Sequence, residues 1–196
     1  MDIQEPQGEK HLSFREQVSE FVRVFIIAVA LILPVRLFLI QPFYVHGQSM
    51  EPNFHDTDYL IIDKITPRFA SFKRGEVIVF LHQDPRFGPK ARYLIKRVIG
   101  LPGERVTLAD GVITIYNDSH ASGFALHEWQ YPVESMEGLV SNATLKKDEY
   151  YVLGDNRPVS EDSENFGPIH ASQIVGRVWV RGFPFDRFKL FDAPTY

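Results

Sequence analysis

The sequence predicts a mainly β domain carried behind a single N-terminal transmembrane helix. Three observations predict it. Residues 24–33 (VFIIAVALIL) form an unbroken apolar run. Beyond residue 43 the pattern turns to short alternating or apolar stretches broken by Gly, Pro, Asn and Asp, which is how strands and turns read. No helical periodicity is sustained after that point. A length of 196 residues fits one domain, or one with a small appendage. The chain is 44% apolar and 13% aromatic, enough for a sizeable core, and at 23% charged it is no disordered chain.

Composition also removes function classes. Twenty-one Lys and Arg against 25 Asp and Glu give a net charge of −4, with a pI near 6.0, so a nucleic-acid partner is not expected. The chain has no cysteine, which excludes disulfide frameworks, thiolate metal sites and thiol catalysis. A mean hydropathy of −0.14 excludes a multi-span membrane protein.

A bilayer-spanning helix wants roughly 20 mostly apolar residues. Residues 21–43 reach that length when Arg23, Arg36 and Gln41 are tolerated. Arg23 and Gln41 lie near the ends, where long polar side chains snorkel to the headgroups. Arg36 lies deeper and places the end of the embedded part near 35–37. A buried core helix would show a polar stripe, which this run lacks. A cleavable leader would not carry Glu5, Glu9, Glu16 and Glu20 ahead of its apolar core, nor Pro34-Val35-Arg36 at its end. The expected organisation is therefore a short tail (1–20), an anchor (21–43) and a β-rich domain (44–196).

Within that domain the predicted strands are 59–63, 76–82, 93–99, 104–108, 112–116, 149–153 and 174–180. Asp110-Gly111 between two of them reads as a hairpin turn. Residues 82–90 read as a Pro- and Gly-bearing loop. Residues 117–145 are polar and irregular, so 104–148 is expected to form a small peripheral lobe inserted in the domain.

Three islands bear on chemistry: Gly47-Gln48-Ser49-Met50-Glu51-Pro52, then Ile95-Lys96-Arg97-Val98-Ile99-Gly100-Leu101-Pro102-Gly103-Glu104, then Gly154-Asp155-Asn156 running on through Ser160, Asp162 and Ser163 to Phe166-Gly167. Taken singly, Ser49 reads as a turn serine and Lys96 as a solvated strand lysine. The acidic run near residue 162 reads as a polar turn without the spacing of a calcium loop. A serine hydroxyl needs a base, and the seven histidines share no motif that would supply one. On a strand, Leu94, Lys96 and Val98 project from one face. An amine among apolar neighbours sheds its charge more easily. Lowering a lysine from about 10.4 to about 8 costs roughly 3 kcal/mol, which a folded domain can absorb. A neutral Lys96 is then a general base.

In this order, together with residues 74–80 (RGEVIVF), the islands resemble the type I signal peptidase family of membrane-anchored Ser/Lys serine proteases, over nearly the whole chain. The resemblance implies an antiparallel-sheet catalytic domain that removes signal peptides from exported preproteins at small-x-small (A-x-A) sites, through an acyl-enzyme. It makes Ser49 the nucleophile and Lys96 the base. Met50 and Pro52 shape the nucleophile turn, Ser160 orients the lysine amine, and Gly154, Asp155, Asn156, Asp162 and Ser163 form the supporting loop. The Ser49 N–H holds the oxyanion. No metal or organic cofactor is implied. The partners are preproteins and a lipid bilayer, and the place is the bacterial inner membrane, single-pass, with the N-terminus cytoplasmic and the catalytic domain outside.

The chain departs from the family pattern at Gly47, where some members carry a serine as second oxyanion donor, and at Asn53 and Thr57. It also departs at Glu164, where an arginine usually pairs with the aspartate matching Asp162. Glu164 keeps alive an alternative: a weak or inactive homologue that binds signal peptides without cutting them. A regulatory self-cleaving Ser/Lys protease is disfavoured by the anchor. The step of roughly six residues from Phe43 to Ser49 reaches at most about 20 Å, so the nucleophile is expected near the membrane surface.

Overall fold

A computed structural model describes residues 13–34, 40–84, 88, 90–128, 132–133 and 140–192. The chain divides into two units, Met1–Phe38 and Leu39–Tyr196. In the first, helix α1 spans Phe14–Pro34. Its start is fixed by a reciprocal cap: the Ser13 N–H donates to Glu16 Oε2 at 2.8 Å and the Glu16 N–H to Ser13 Oγ at 3.4 Å. Residues 14–20, expected as tail, are therefore helical. This correction was available from the Ser-x-x-Glu spacing.

Among the described residues no helix is long and apolar enough to cross a membrane. The first turns of α1 carry Arg15, Glu16 and Glu20, which confines its apolar part to the last turns. There Val24, Phe25, Ile26, Ile27, Leu31 and Ile32 are each exposed by half or more. Arg36, and with it the expected end of the embedded part, lies outside the described residues. So does most of 129–139 and part of the 82–90 loop.

The far end of the expected anchor is also corrected. Ile40–Tyr44 is not helix but strand β1, antiparallel to β2 (Tyr59–Asp63), with Ile40 opposite Asp63 and Tyr44 opposite Tyr59. Pro42 has no N–H for a helix or for an interior strand, but an edge strand tolerates it, and β1 is an edge of its sheet. A single turn of helix, α2 (Thr66–Phe69), follows β2.

The remaining strands are β3 (Val77–His82), β4 (Arg92–Gly100), β5 (Arg105–Ala109), β6 (Val112–Asn117), β7 (His120–Ala125), β8 (Ser141–Thr144), β9 (Glu149–Leu153), β10 (Ile169–His170), β11 (Ile174–Phe183) and β12 (Lys189–Leu190), with helix α3 (Ser163–Phe166) before β10. They build two sheets. The larger runs β1-β2-β11-β3-β4-β9-β10, with β12 added on β11, and the smaller runs β7-β6-β5-β8. Every recorded pairing is antiparallel. The expected hairpin is present: Ala109 pairs with Val112, and Asp110 and Gly111 both take positive φ, 50° and 76°, which matches the twist of the flanking strands.

Two strands, β7 and β8, occupy the stretch read as irregular. Both are edges of the smaller sheet. His-Ala-Ser-Gly-Phe-Ala and Ser-Asn-Ala-Thr have little strand propensity, so pairing with β6 and β5 makes them strands. The smaller sheet has no core of its own. Val106, Leu108, Ile113 and Ile115 pack with Ile99 of β4 and with Tyr151 and Leu153 of β9 in one buried cluster. On the larger sheet, Val77 and Val79 of β3 face one cluster and Ile78 and Phe80 another. Burial on both faces explains why this strand reads as a continuous apolar run.

Because the shared cluster joins the sheets, Ile115→Ala is expected to cost about 3 kcal/mol of stability, and urea denaturation checks it.

Candidate active site

The island around Ser49 folds as stacked tight turns. The Glu51 N–H donates to Gln48 O, and the Asn53 and Phe54 N–H groups both donate to Met50 O at 3.1 and 2.9 Å. Apolar burial holds the turn down. Met50 and Phe54 flank Ser49 and are 1% and 0% exposed, packed with Val45, Leu60 and Val79. Pro52 follows a cis peptide bond. Ser49 itself is half-buried, and among the described residues no recorded hydrogen bond uses its N–H. Gly47 has φ +90°, a region that favours glycine, and its N–H donates to Asp56 Oδ1 at 2.9 Å. The missing hydroxyl at 47 thus follows from backbone conformation, since space for a side chain is open there.

Strand β4 supplies the amine. Lys96 lies opposite Ile78 of β3 and is 2% exposed. Its Nζ stands 2.7 Å from Ser49 Oγ. The charged amine donates this bond, and the neutral amine accepts it from the hydroxyl. Burial pulls Lys96 down from 10.5 to about 8, against the upward pull of Asp162, Asp155 and Glu161. Desolvation is the larger effect because the amine is almost wholly buried, and the three carboxylates offset it only in part.

The third island cradles the other two. The Asn156 N–H donates to Ser49 O at 3.0 Å. At Gly154 an added Cβ would stand 2.4 Å from Ser49 O and 2.1 Å from Ser160 Oγ, so only glycine allows this approach. Asp155, fully buried, receives Arg97 Nε at 2.7 Å, Arg97 Nη2 at 2.6 Å and Asn53 Nδ2 at 2.9 Å. Arg97 also donates to Gly75 O at 2.8 Å. Ser163 Oγ accepts from the Val152 N–H at 2.9 Å. Ser160 Oγ is buried with no hydrogen-bond partner among the described residues, so the bond expected between it and Lys96 is not made.

The departure at Glu164 leaves Asp162 provided for. Its carboxylate accepts from the Gly154 N–H at 2.9 Å and caps α3 through the Glu164 N–H at 3.2 Å. Asn165 Oδ1 returns a bond to the Asp162 N–H. Backbone donors take the place of an arginine. Three arginines pair with other acids: Arg97 with Asp155, Arg157 with Glu128, and Arg177 with Asp63 and Glu76. The like charges leave their trace, because burial and then Asp162 raise the Glu164 carboxyl.

Arg97 and Asn53 were missed as parts of the site. The signal for Arg97 was a second cation beside Lys96 in the apolar half of β4, which a fold buries only against an acceptor. Asn53 carried no such signal.

Beside the dyad lies a cavity of about 460 Å³. It is walled chiefly by Pro42, Phe43, Tyr44, Leu60, Val79 and Tyr93, and Ser49 and Lys96 open into it. No group of three or more candidate ligands that could hold a metal ion occurs among the described residues.

The family model described as "Signal peptidase, peptidase S26" matches residues 18–183. A signal peptidase I of Bacillus licheniformis is 32% identical over 94% of this chain and 98% of its own. A signal peptidase IB of Staphylococcus aureus is 28% identical over 89% and 94%. A solved signal peptidase I from Enterococcus faecalis is 29% identical, covers 55% of this chain and 97% of its own, and gives a TM-score of 0.41.

The buried amine sets a pH-dependent cost. Between about 8 and 10.5 the unfolded chain holds a proton on Lys96 that the folded chain has lost, so the folded state gains stability as pH rises through that window. Lys96→Met is expected to stabilise the fold by about 3 kcal/mol at pH 7. That advantage should shrink from about pH 8 towards 10.5, as denaturation curves of both proteins at several pH values would read.

Proposed function

The chain belongs to the signal peptidase family, peptidase S26, and on that footing we propose that it is a membrane-anchored endopeptidase cutting signal peptides from exported preproteins at small-x-small sites. The observation that carries this reading is the 2.7 Å approach of a buried amine to Ser49 Oγ. Neutral Lys96 takes the Ser49 proton as Oγ attacks the carbonyl before the scissile bond. The Ser49 N–H, not engaged elsewhere among the described residues, receives the oxyanion; such a donor is worth about 3 kcal/mol. The Lys96 ammonium then protonates the departing amine and leaves an ester on Ser49. Neutral again, Lys96 draws a proton from the water that hydrolyses the ester.

Ser160 Oγ, buried with its bonding capacity unmet, is the group we assign to steady the amine. Gly154, Asp155, Asn156, Asp162 and Ser163 hold the loop behind it. Substrate enters extended along the edge strand β1, whose backbone groups suit strand addition, with the residues before the bond in the apolar cavity. The catalytic reading is preferred to the non-cutting homologue because the Glu164 replacement leaves Asp162 hydrogen-bonded and the Ser49–Lys96 distance short.

Membrane anchoring is supported by the apolar side chains on α1, exposed on every face. Residues 24–33 cover about 15 Å of helix, half of the ~30 Å hydrocarbon layer, so flanking residues must enter the bilayer with them. In this reading the N-terminus is cytoplasmic and the catalytic domain faces outward across a bacterial inner membrane.

Cleavage of an A-x-A preprotein should rise with pH along a limb centred near 8, where Lys96 loses its proton, and level above it. Ser49→Ala and Lys96→Ala should each lower kcat/KM at least about a thousandfold; activity surviving either change would sink the dyad. After cell lysis the full chain should sediment with membranes and be released by detergent. Recovery in the supernatant without detergent would refute the anchor.

A further inference from the structure

Two cavities meet at the dyad. Besides the apolar one, a second of about 320 Å³ opens at the same pair of residues. His46, Ser49, Leu94 and Lys96 belong to both. The walls otherwise differ in chemistry. Those of the larger are mostly aromatic and aliphatic, with Arg92 as the added charge. Those of the smaller add Gly47, Gln48, Val159 and Glu161. An extended chain whose scissile carbonyl sits at Ser49 must place its residues before the bond in one cavity and those after it in the other. A signal peptide ends in an apolar segment and small residues, whereas the chain it precedes is polar. The apolar cavity therefore suits the first part, and the smaller cavity, whose walls add Gln48 and Glu161, takes the residues released with the new N-terminus.

In that smaller cavity Glu161 is the acidic wall residue. Its charge reaches the reacting groups, since it is among the three carboxylates that raise Lys96. A side chain entering beside Ser49 on this face meets the same field. Lys96 and His46 are the other ionisable groups among the described residues that line this cavity, and His46 is exposed and 3.9 Å from Asp56.

We propose that Glu161 is a specificity-determining residue for the part of the substrate that follows the cleaved bond: it favours a cationic side chain at the first positions there and disfavours an acidic one. This rests on the signal peptidase reading above. At separations of about 7 Å and an effective dielectric constant of about 40, one opposite or like charge changes binding by roughly sevenfold, and added salt weakens the effect.

The test is a set of peptides identical but for Lys or Glu at the first, second or third position after the cleaved bond, with a control pair varied before it. Each is assayed for kcat/KM with the wild-type chain, Glu161→Gln and Glu161→Lys in detergent. The ratio of Lys to Glu peptide cancels any change in Lys96 basicity. It should exceed about fivefold in the wild type, fall near one in Glu161→Gln and invert in Glu161→Lys, at a position after the bond. A ratio equal in all three proteins, or one that changes only in the control pair, overturns the proposal. If the wild-type chain cuts none of the peptides, nor an A-x-A preprotein, the signal peptidase reading itself fails and this inference falls with it.

Discussion

The arrangement depends on keeping one amine out of water at hydrogen-bond distance from one hydroxyl. An exposed lysine keeps its proton at neutral pH and is no base. Lys96 is held among Leu94, Val98 and the packed face of β4, where burial outweighs three nearby carboxylates and leaves the amine near 8. The cost falls on stability and is borne by the apolar clusters that close around the strand.

Acids close to the dyad raise a second problem, because each one left unscreened would drive Lys96 back to its charged form. Asp155 and Asp162 are tied down in different ways. Asp155 is gripped by the two-pronged Arg97 guanidinium and by Asn53, while Asp162 spends its oxygens on the backbone N–H groups of Gly154 and Glu164. A further buried acid, Asp58, lies between Arg181 and Arg187 at 3.0 and 3.2 Å. Arg181 also donates to Asn53 O at 2.8 Å, which fastens the end of β11 to the nucleophile turn. Buried ion pairs contribute little net stability but are costly to break on one side. Here they fix the backbone around Ser49 more than they strengthen the fold.

The two sheets divide the labour. The larger one carries Lys96 and frames the turn of Ser49. The smaller one shares its core with β4 and β9, so the strand that carries Lys96 is packed from that side as well. Two cavities meet at Ser49 and Lys96, the larger with mostly aromatic and aliphatic walls and the smaller with Gln48 and Glu161 among its walls.

Periodicity and turn residues placed seven strands, the Asp110-Gly111 hairpin and the order of the three islands, since these are local properties of the chain. Ser49 and Lys96 were legible as a pair from motif order and from the alternation that sets Lys96 beside Leu94 and Val98. Other features were decided only by tertiary structure. β1 became a strand because β2 pairs with it, although its residues continue an apolar anchor in sequence. β7 and β8 became strands through partners, against their own propensity. Asp162 found backbone amides where an arginine was expected, and Ser160 was left with an unmet hydroxyl. Strand pairing, burial and the distance between groups 47 residues apart in sequence belong to the packed chain. Desolvation of Lys96 is such a property: the sequence determined that a lysine shares a strand face with Leu94 and Val98, and packing alone decided that it is buried and that its charge is disfavoured.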